Sequence, residues 1–368
     1  MFVLKSGVDS TFQSEGRTYL YFAGNNYLGL ATNREIIGEA AAALEKYGVS
    51  VSASRQTTGT SDLHLALERE LSLFKGKQDA IVFASGYMGN KILAENLRDS
   101  YTAIFTDSMA HSSIADSIAA IDVPKYSYDH CNATGLEQVL KKNSGHRPLI
   151  ITDGIFALTG EIVPLDQIYW LAMRYSATII VDDAHATGVL GKSGRGTPDH
   201  FNLDGAEGIY QSETMSKALG SYGGFITGEG EVINKMREEC HFYGASTALP
   251  PPVVAAGLAA LRILRKQPEL RLRLFENADR LRSGVKELGF DTSDTVAPII
   301  PIFFHTWERA VGLSKYLEEN RIIVPAVNYP VKMNKFIVRA TVTAEHTKEQ
   351  IDKLLDTLKN WRSKNGIN

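Results

Sequence analysis

Four segments of this 368-residue chain carry residue types that do chemistry, three of them directly after short apolar runs. Residues 178–185 (TIIVDDAH) end a β-branched run abruptly in two carboxylates and an imidazole. The pair Asp182-Asp183 reads either as a strand end capped by solvated charge or as part of a site. At the ligand edge of a buried strand an ionised carboxylate needs a cationic partner, because uncompensated charge there is very costly. A protonated pyridine nitrogen would be such a partner. Residues 212–220 (SETMSKALG), followed by SYGGF, set Lys217 among small residues and glycines, which let backbone approach a ligand closely. A desolvated lysine gives up its proton more readily and can attack a carbonyl to form a Schiff base. Thr214 and Ser216 offer hydroxyls to phosphate oxygens. Taken alone, SKALG is equally at home on an ordinary helix.

Two further groups follow apolar runs. Residues 84–87 (ASGY) precede a helical pattern, and a helix start after Ser-Gly presents free N–H groups and a positive dipole end to an anion. Tyr87 reads as bordering an aromatic ring or as packing. His111, in residues 107–111 (DSMAH), reads as a satisfied structural histidine or as an imidazole stacked on an aromatic cofactor.

The elements that must hold these residues are visible in the hydrophobic pattern. Residues 80–84 (AIVFA), 103–106 (AIFT), 149–152 (LIIT) and 178–181 (TIIV) are apolar, short and bounded by polar residues or glycine, which predicts buried strands. Residues 62–74 (DLHLALERELSLF) and 165–175 carry helical spacing. Strands alternating with helices predict an α/β fold with a mostly parallel sheet flanked by helices. Ligands of such sheets sit beyond the carboxyl ends of the strands, where the segments at 84–87, 107–111 and 178–185 lie. After Leu249-Pro250-Pro251-Pro252 the texture changes to a long helical stretch over 253–288, short strands and an amphipathic helix over 348–361. The expected domains are an N-terminal segment (1–40) packing with the small domain, a large cofactor-binding domain (41–250) and a small C-terminal α+β domain (251–368).

Bulk properties exclude several classes. A formal charge of -3 gives no electrostatic reason to expect nucleic acid or an anionic membrane surface. The two cysteines, Cys131 and Cys240, show no CxxC spacing, so both read as packing residues in a reducing compartment, and no metal site is expected. The N-terminus has no apolar secretory core, and no apolar run approaches the roughly 20 residues of a membrane span. A cytoplasmic location is the expectation. No GxGxxG follows the first strand, which argues against a nicotinamide cofactor.

Together the motifs resemble a known family. Asn25-Asn26-Tyr27-Leu28-Gly29-Leu30, Gly59-Thr60 with His64, Ser85-Gly86-Tyr87, His111, Asp153-Gly154-Ile155-Phe156, Asp182-Asp183-Ala184-His185, Gly194-Arg195-Gly196, Thr214 to Gly220 and Ala344-Glu345-His346-Thr347 occur in the order and spacing of the α-oxoamine synthases. These are pyridoxal-phosphate enzymes of fold type I, and the resemblance runs from about residue 19 to the C-terminus. It implies pyridoxal 5'-phosphate as cofactor and condensation of a small amino acid with an acyl-CoA or acyl-carrier-protein thioester, usually with decarboxylation. Lys217 would carry the Schiff base and exchange the proton at Cα, and Asp182 would pair with the ring nitrogen. His111 would stack on the ring, and His185 would bond the ring hydroxyl or the substrate. Gly86, Tyr87, Thr214 and Ser216 would surround the phosphate, joined by Thr247 from the neighbouring subunit of a homodimer. Arg339 would grip the amino acid carboxylate with its bidentate fork, beside Asn25.

The resemblance has departures. Ala157 stands where relatives often carry a serine that bonds the ring hydroxyl. Residues 326–332 (AVNYPVK) are one residue shorter than the proline-rich segment that frames the acyl group in biotin-pathway members, and lack its arginine. The sequence also starts past the N-terminal helix of many relatives. Alanine with a pimeloyl thioester is the first expectation, glycine with acetyl-CoA the second and serine with a long acyl chain the third. An aminotransferase would share the lysine and the aspartate but would end at the amine form of the cofactor.

Overall fold

The computed structural model describes residues 3–327 and 335–366, so the Asn328–Lys332 part of the acyl-framing segment lies outside the described residues. The chain forms two compact units.

The larger unit comprises Arg34–Ile155 and Ile162–Arg265. Its core is a seven-stranded sheet in the order Asp79–Phe83, Gly224–Gly228, Ile209–Thr214, Thr178–Asp182, Pro148–Asp153, Ala103–Asp107, Lys125–Tyr128. Only Gly224–Gly228 runs antiparallel, to both of its neighbours; the pairs from Ile209–Thr214 to Lys125–Tyr128 are parallel. Ile179, Ile180 and Val181 are fully buried, as strands covered on both faces must be. The expected strands over 103–106, 149–152 and 178–181 each continue one residue further, onto Asp107, Asp153 and Asp182. Register pairs Asp153 with Asp182 and Asp182 with Ser212, so these polar ends line one edge. Ile209–Thr214 and Gly224–Gly228 have no uninterrupted apolar run: one carries Gln211, Ser212 and Glu213, and the other is flanked by glycines. Lys217 lies on the turn between them.

The helical stretch expected over 253–288 is two helices, Pro251–Lys266 and Glu269–Glu287. Pro268 lacks the N–H to continue the first and stands at the N-cap of the second. The first helix belongs with the larger unit. Val254, Leu258 and Leu261 are buried, Gly257 faces Met215 and Leu67, and Ser221 donates to the Val253 carbonyl at 2.8 Å. The boundary between units therefore falls at Arg265, later than the proline run that marks the change of texture.

The smaller unit comprises residues to Asn33, Phe156–Glu161 and Lys266 onward. It holds two small sheets. Thr11–Ser14, Arg17–Tyr21 and Ile322–Ile323 form one, and Ile299–Phe304, Phe336–Thr341 and Ala326–Val327 the other. Glu269–Glu287, Trp307–Glu319 and Lys348–Asn365 supply its helices, the last opened by a Thr347/Gln350 capping box. His346, just before that box, stacks on Phe22 with centroids 4.2 Å apart, and its Nδ1 accepts from the Thr343 N–H at 2.9 Å.

Burial pushes the His346 imidazole down to about 4. The unfolded chain, with a histidine near 6.5, binds more protons between these values, so stability rises with pH across that window. The contribution is full above about pH 6.5 and is lost as pH falls towards 4; its ceiling is on the order of 3 kcal/mol. His346→Asn keeps an acceptor for Thr343 and removes the titrating ring. Thermal unfolding between pH 7 and 4.5 is expected to show a shallower acid decline in the variant; an identical slope would contradict this account.

Candidate active site

The site residues of the larger unit gather because glycines let a helix start lie against the sheet edge. Ser85 caps a short 3₁₀ turn, Gly86–Met88, its hydroxyl accepting from the Tyr87 N–H at 3.3 Å, and helix Gly89–Asn96 follows directly. A Cβ on Gly86 would come within 2.6 Å of Thr214 Cβ, and one on Gly89 would overlap Ser212 Oγ. Residues 86 and 89 share a helix face, and 212 and 214 share a strand face. The spacing of the glycines thus matches the strand's period, and Gly224 closes the other side with a Cβ position 2.7 Å from Gly86 Cα. Thr214 Oγ1 lies 2.8 Å from Ser216 Oγ and donates to the Gly223 carbonyl at 3.0 Å.

Beside this cradle stands a charged cluster. Asp182 is buried; one oxygen accepts from Asn90 Nδ2 at 2.6 Å and Ser113 Oγ at 3.4 Å, the other from the Ala184 N–H at 3.1 Å. Asp153, its ladder partner, accepts from the His111 N–H at 2.9 Å. Burial, and then the Asp182 charge, push the Asp153 carboxyl well above the usual range. His111 caps helix Ser112–Ile118, its Nδ1 accepting from the Ser113 N–H at 3.2 Å. Burial holds its imidazole below 6.5; Asp182 opposes this and the Lys217 charge reinforces it. Lys217 lies on the turn that follows Ile209–Thr214, the strand paired with the one that ends at Asp182.

The two aspartates of DDAH have separate tasks. Asp183 points into the protein and accepts from the Thr197 N–H at 2.8 Å, Thr197 Oγ1 at 2.5 Å and Gln211 Nε2 at 2.5 Å. Gly196 has φ 102° and a Cβ there would overlap Asp183 Oδ2, so the GRG segment exists to let this loop close over Asp183. Below it, the fully buried Glu213 carboxylate pairs with Lys75 at 2.5 Å and Thr187 at 2.6 Å, and Lys75 also reaches the Arg195 carbonyl. His185 is buried on the same turn.

The remaining predicted residues are distributed as follows. Tyr87 is about half exposed, donates to Asp116 and meets His111 edge-on at 6.2 Å. Ser216 and Thr247 are exposed, and Thr247 forms an isolated bridge with Ser54. In the smaller unit the buried Arg339 donates from Nε to the Ala157 carbonyl at 2.5 Å and from Nη2 to Asn25 Oδ1 at 3.1 Å. Tyr27, fully buried beside it, also donates to Asn25 at 3.3 Å. Asp107, His130 and Cys131 lie close enough to share a metal ion. The Asp107 oxygens, however, already accept from the Met109 and Cys131 N–H groups and from His130, which makes the trio a loop clip.

This donor set fits pyridoxal phosphate: an amine for its aldehyde, a buried carboxylate for its ring nitrogen, an imidazole for its face, and a glycine cradle with hydroxyls at a helix start for its phosphate. Asn90 and Ser113 belong to the site and were not singled out in the sequence. The only sequence signal for Asn90 is its place four residues beyond Gly86, one helical turn along the same face.

Residues 17–358 match the aminotransferase class I and II family. Among curated proteins, 8-amino-7-oxononanoate synthase of Thermoanaerobacter pseudethanolicus is 39% identical over 93% of this chain and 87% of its own length. The enzyme of the same name from Bacillus pumilus is 36% identical over 99% and 93%. Among solved structures, a serine palmitoyltransferase of S. paucimobilis with bound PLP–myriocin superposes with a TM-score of 0.95 at 27% identity, over 100% of this chain and 94% of that one. An 8-amino-7-oxononanoate synthase from Francisella tularensis gives 0.80 at 27%, over 94% and 98%.

The contact of Gly89 with Ser212 gives a test by substitution. Gly89→Ala is expected to cost roughly 1–3 kcal/mol through overpacking. Gly312→Ala, inside helix Trp307–Glu319 with nothing within 4 Å of its Cβ position, is expected to gain about 0.5–1 kcal/mol. Urea unfolding of both variants checks the contrast; a neutral Gly89→Ala would contradict the close approach.

Proposed function

The chain belongs to the aminotransferase class I and II family and, within it, to the α-oxoamine synthases, pyridoxal-phosphate enzymes of fold type I; from this premise we propose that it condenses alanine with a pimeloyl thioester, as 8-amino-7-oxononanoate synthases do. The observation that carries the reading is the sheet edge where Asp153 and Asp182 end adjacent parallel strands, with the His111 N–H donating to Asp153, Asn90 to Asp182, and Lys217 on the turn after Ile209–Thr214. Similarity at 36–39% identity over nearly the whole chain to 8-amino-7-oxononanoate synthases supports the choice of amino acid and acyl group.

When bound, pyridoxal phosphate supplies an aldehyde that exchanges between amines and a cationic ring that takes up the electron pair released at the substrate Cα. Asp182 would pair with the ring nitrogen, and burial beside Asp182 raises the Asp153 carboxyl, which disfavours a second negative charge there. His111 would present its imidazole to the cofactor face. The Gly86 cradle, with Thr214 and Ser216, receives the phosphate. Arg339, oriented by Ala157 and Asn25, receives the amino acid carboxylate. Lys217 removes the Cα proton and later returns one. The new bond joins Cα to the thioester carbonyl carbon, the C–S bond breaks, and the carboxylate leaves as CO2. The overall change is amino acid plus acyl thioester to amino ketone, CO2 and thiol.

Ala157 sits where relatives bond the ring hydroxyl with a serine; its backbone carbonyl instead anchors Arg339. We assign the ring hydroxyl to His185. A second reading takes serine and a longer acyl chain, favoured by the backbone match of 0.95 to serine palmitoyltransferase. The protein is further proposed to work as a homodimer in which Thr247 serves the partner's phosphate. Ile37, Leu44, Leu65 and Leu73 are large apolar residues exposed on the larger unit that a second copy would cover.

Alanine, glycine and serine crossed with acyl-CoA chains of two to sixteen carbons, read by free thiol, separate these readings. Maximal release with alanine and the pimeloyl thioester is expected; a serine optimum with long chains would replace the first reading by the second. Lys217→Ala is expected to lower turnover by at least about 10²–10⁴-fold, and activity retained in that variant would refute the assignment. Arg339→Lys, which loses the fork, is expected to raise the KM for the amino acid about tenfold or more with little effect on that for the thioester. Equal changes in both would contradict the role of Arg339.

A further inference from the structure

Asn90 is the second residue of helix Gly89–Asn96 and is fully buried, in a turn whose neighbours Ile92, Leu93 and Ala94 are core residues. A polar side chain at such a position is costly unless something requires it. Its Nδ2 lies 2.6 Å from Asp182 Oδ2 and 3.4 Å from Ser113 Oγ. Its Oδ1 is buried, and no hydrogen-bond partner reaches it among the described residues. Turning the amide over would set that oxygen against the Asp182 carboxylate, so the carboxylate dictates which way Asn90 faces. Leaving an amide oxygen unpaired in the interior is unfavourable, and folds retain such groups where a compensating interaction exists. Here the compensation is a short hydrogen bond to a charged acceptor.

Ser113 extends the arrangement. Its hydroxyl is 3.4 Å from the same Asp182 oxygen and 2.9 Å from His111 Nδ1, and the Ala184 N–H holds the other carboxylate oxygen. The carboxylate is thereby fixed in rotation on both sides, and one hydroxyl joins it to the imidazole.

We propose that Asn90 is a positioning residue that, with Ser113, orients the Asp182 carboxylate toward the cofactor's ring nitrogen. The proposal rests on Asp182 being the partner of that nitrogen. Asn90 touches neither cofactor nor substrate in this role; it sets the direction of the group that does, as outer partners of metal ligands do.

The test uses the full-length protein stripped of cofactor and titrated with pyridoxal phosphate and with an analogue carrying CH in place of the ring nitrogen. Dissociation constants are the readout, so catalytic activity does not enter. Wild type is expected to prefer pyridoxal phosphate. Asn90→Ala is expected to weaken pyridoxal phosphate about tenfold, the scale of one hydrogen bond to a charged group, and the analogue less than about twofold. Equal weakening of both ligands would mean that Asn90 only packs, and no weakening of either would mean that it does not act on Asp182; each overturns the proposal. Asp182→Asn separates the layers. If it erases the preference while Asn90→Ala leaves it, the positioning role alone fails. If Asp182→Asn leaves the preference intact, the assignment of Asp182 fails and the proposal with it. Should Asn90→Ala not fold, Ser113→Ala leaves helix Gly89–Asn96 untouched and is expected to reduce the preference in the same sense by a smaller factor; an unchanged preference there overturns the shared clamp.

Discussion

The arrangement depends on carboxylates brought together at one edge of a parallel sheet. Parallel register sets Asp153 beside Asp182, and neither side chain is in water. Two buried negative charges at that spacing repel; burial and the Asp182 charge raise the Asp153 carboxyl, which accepts the His111 N–H. The charge on Asp182 is held by an amide, a hydroxyl and a backbone N–H. Such a charge calls for a cationic partner in the same place, and in the proposed function a pyridinium nitrogen would supply one, with Lys217, His111 and the Gly86 cradle around it.

Small residues make the edge accessible. Gly86 and Gly89 bring a helix start onto Thr214 and Ser212, and the approach delivers both the phosphate cradle and Asn90. Gly196 lets the GRG loop close over Asp183, and the Lys75–Glu213 pair ties that loop to the strand leading into the lysine turn. A buried ion pair of this kind is a device for geometry more than for stability, since desolvation offsets much of its attraction. Within the family these packing constraints stand next to the chemistry, which explains why weak individual motifs form a specific pattern when read in order.

Much of this was legible in sequence for a physical reason. The strands ending at Asp107, Asp153 and Asp182 are short aliphatic runs stopped by a polar residue, and the stops mark the sheet edge on which the candidate site lies. The two strands flanking Lys217 were not legible, because Gln211 and Glu213 face buried polar partners and Gly224–Gly228 has almost no side-chain pattern. The unit boundary was misplaced at the prolines because a helix-starting proline and a domain linker look alike until burial is known. Asn90 escaped for a different reason: its place one turn beyond Gly86 is a weak signal for a single amide, and its meaning comes from a carboxylate 92 residues away. The resemblance singles out Asp182 of the doubled aspartate, and the task of Asp183, which accepts from Thr197 and Gln211, is visible only in the structure.

The central claim is that one lysine, Lys217, carries the cofactor at this edge. Borohydride reduction of the cofactor-loaded protein, followed by digestion and mass mapping, reads it directly. The account predicts a pyridoxyl-phosphate mass on the peptide containing Lys217 and no other lysine. A label on Lys75 or any other lysine, or no covalent label at all, would contradict it.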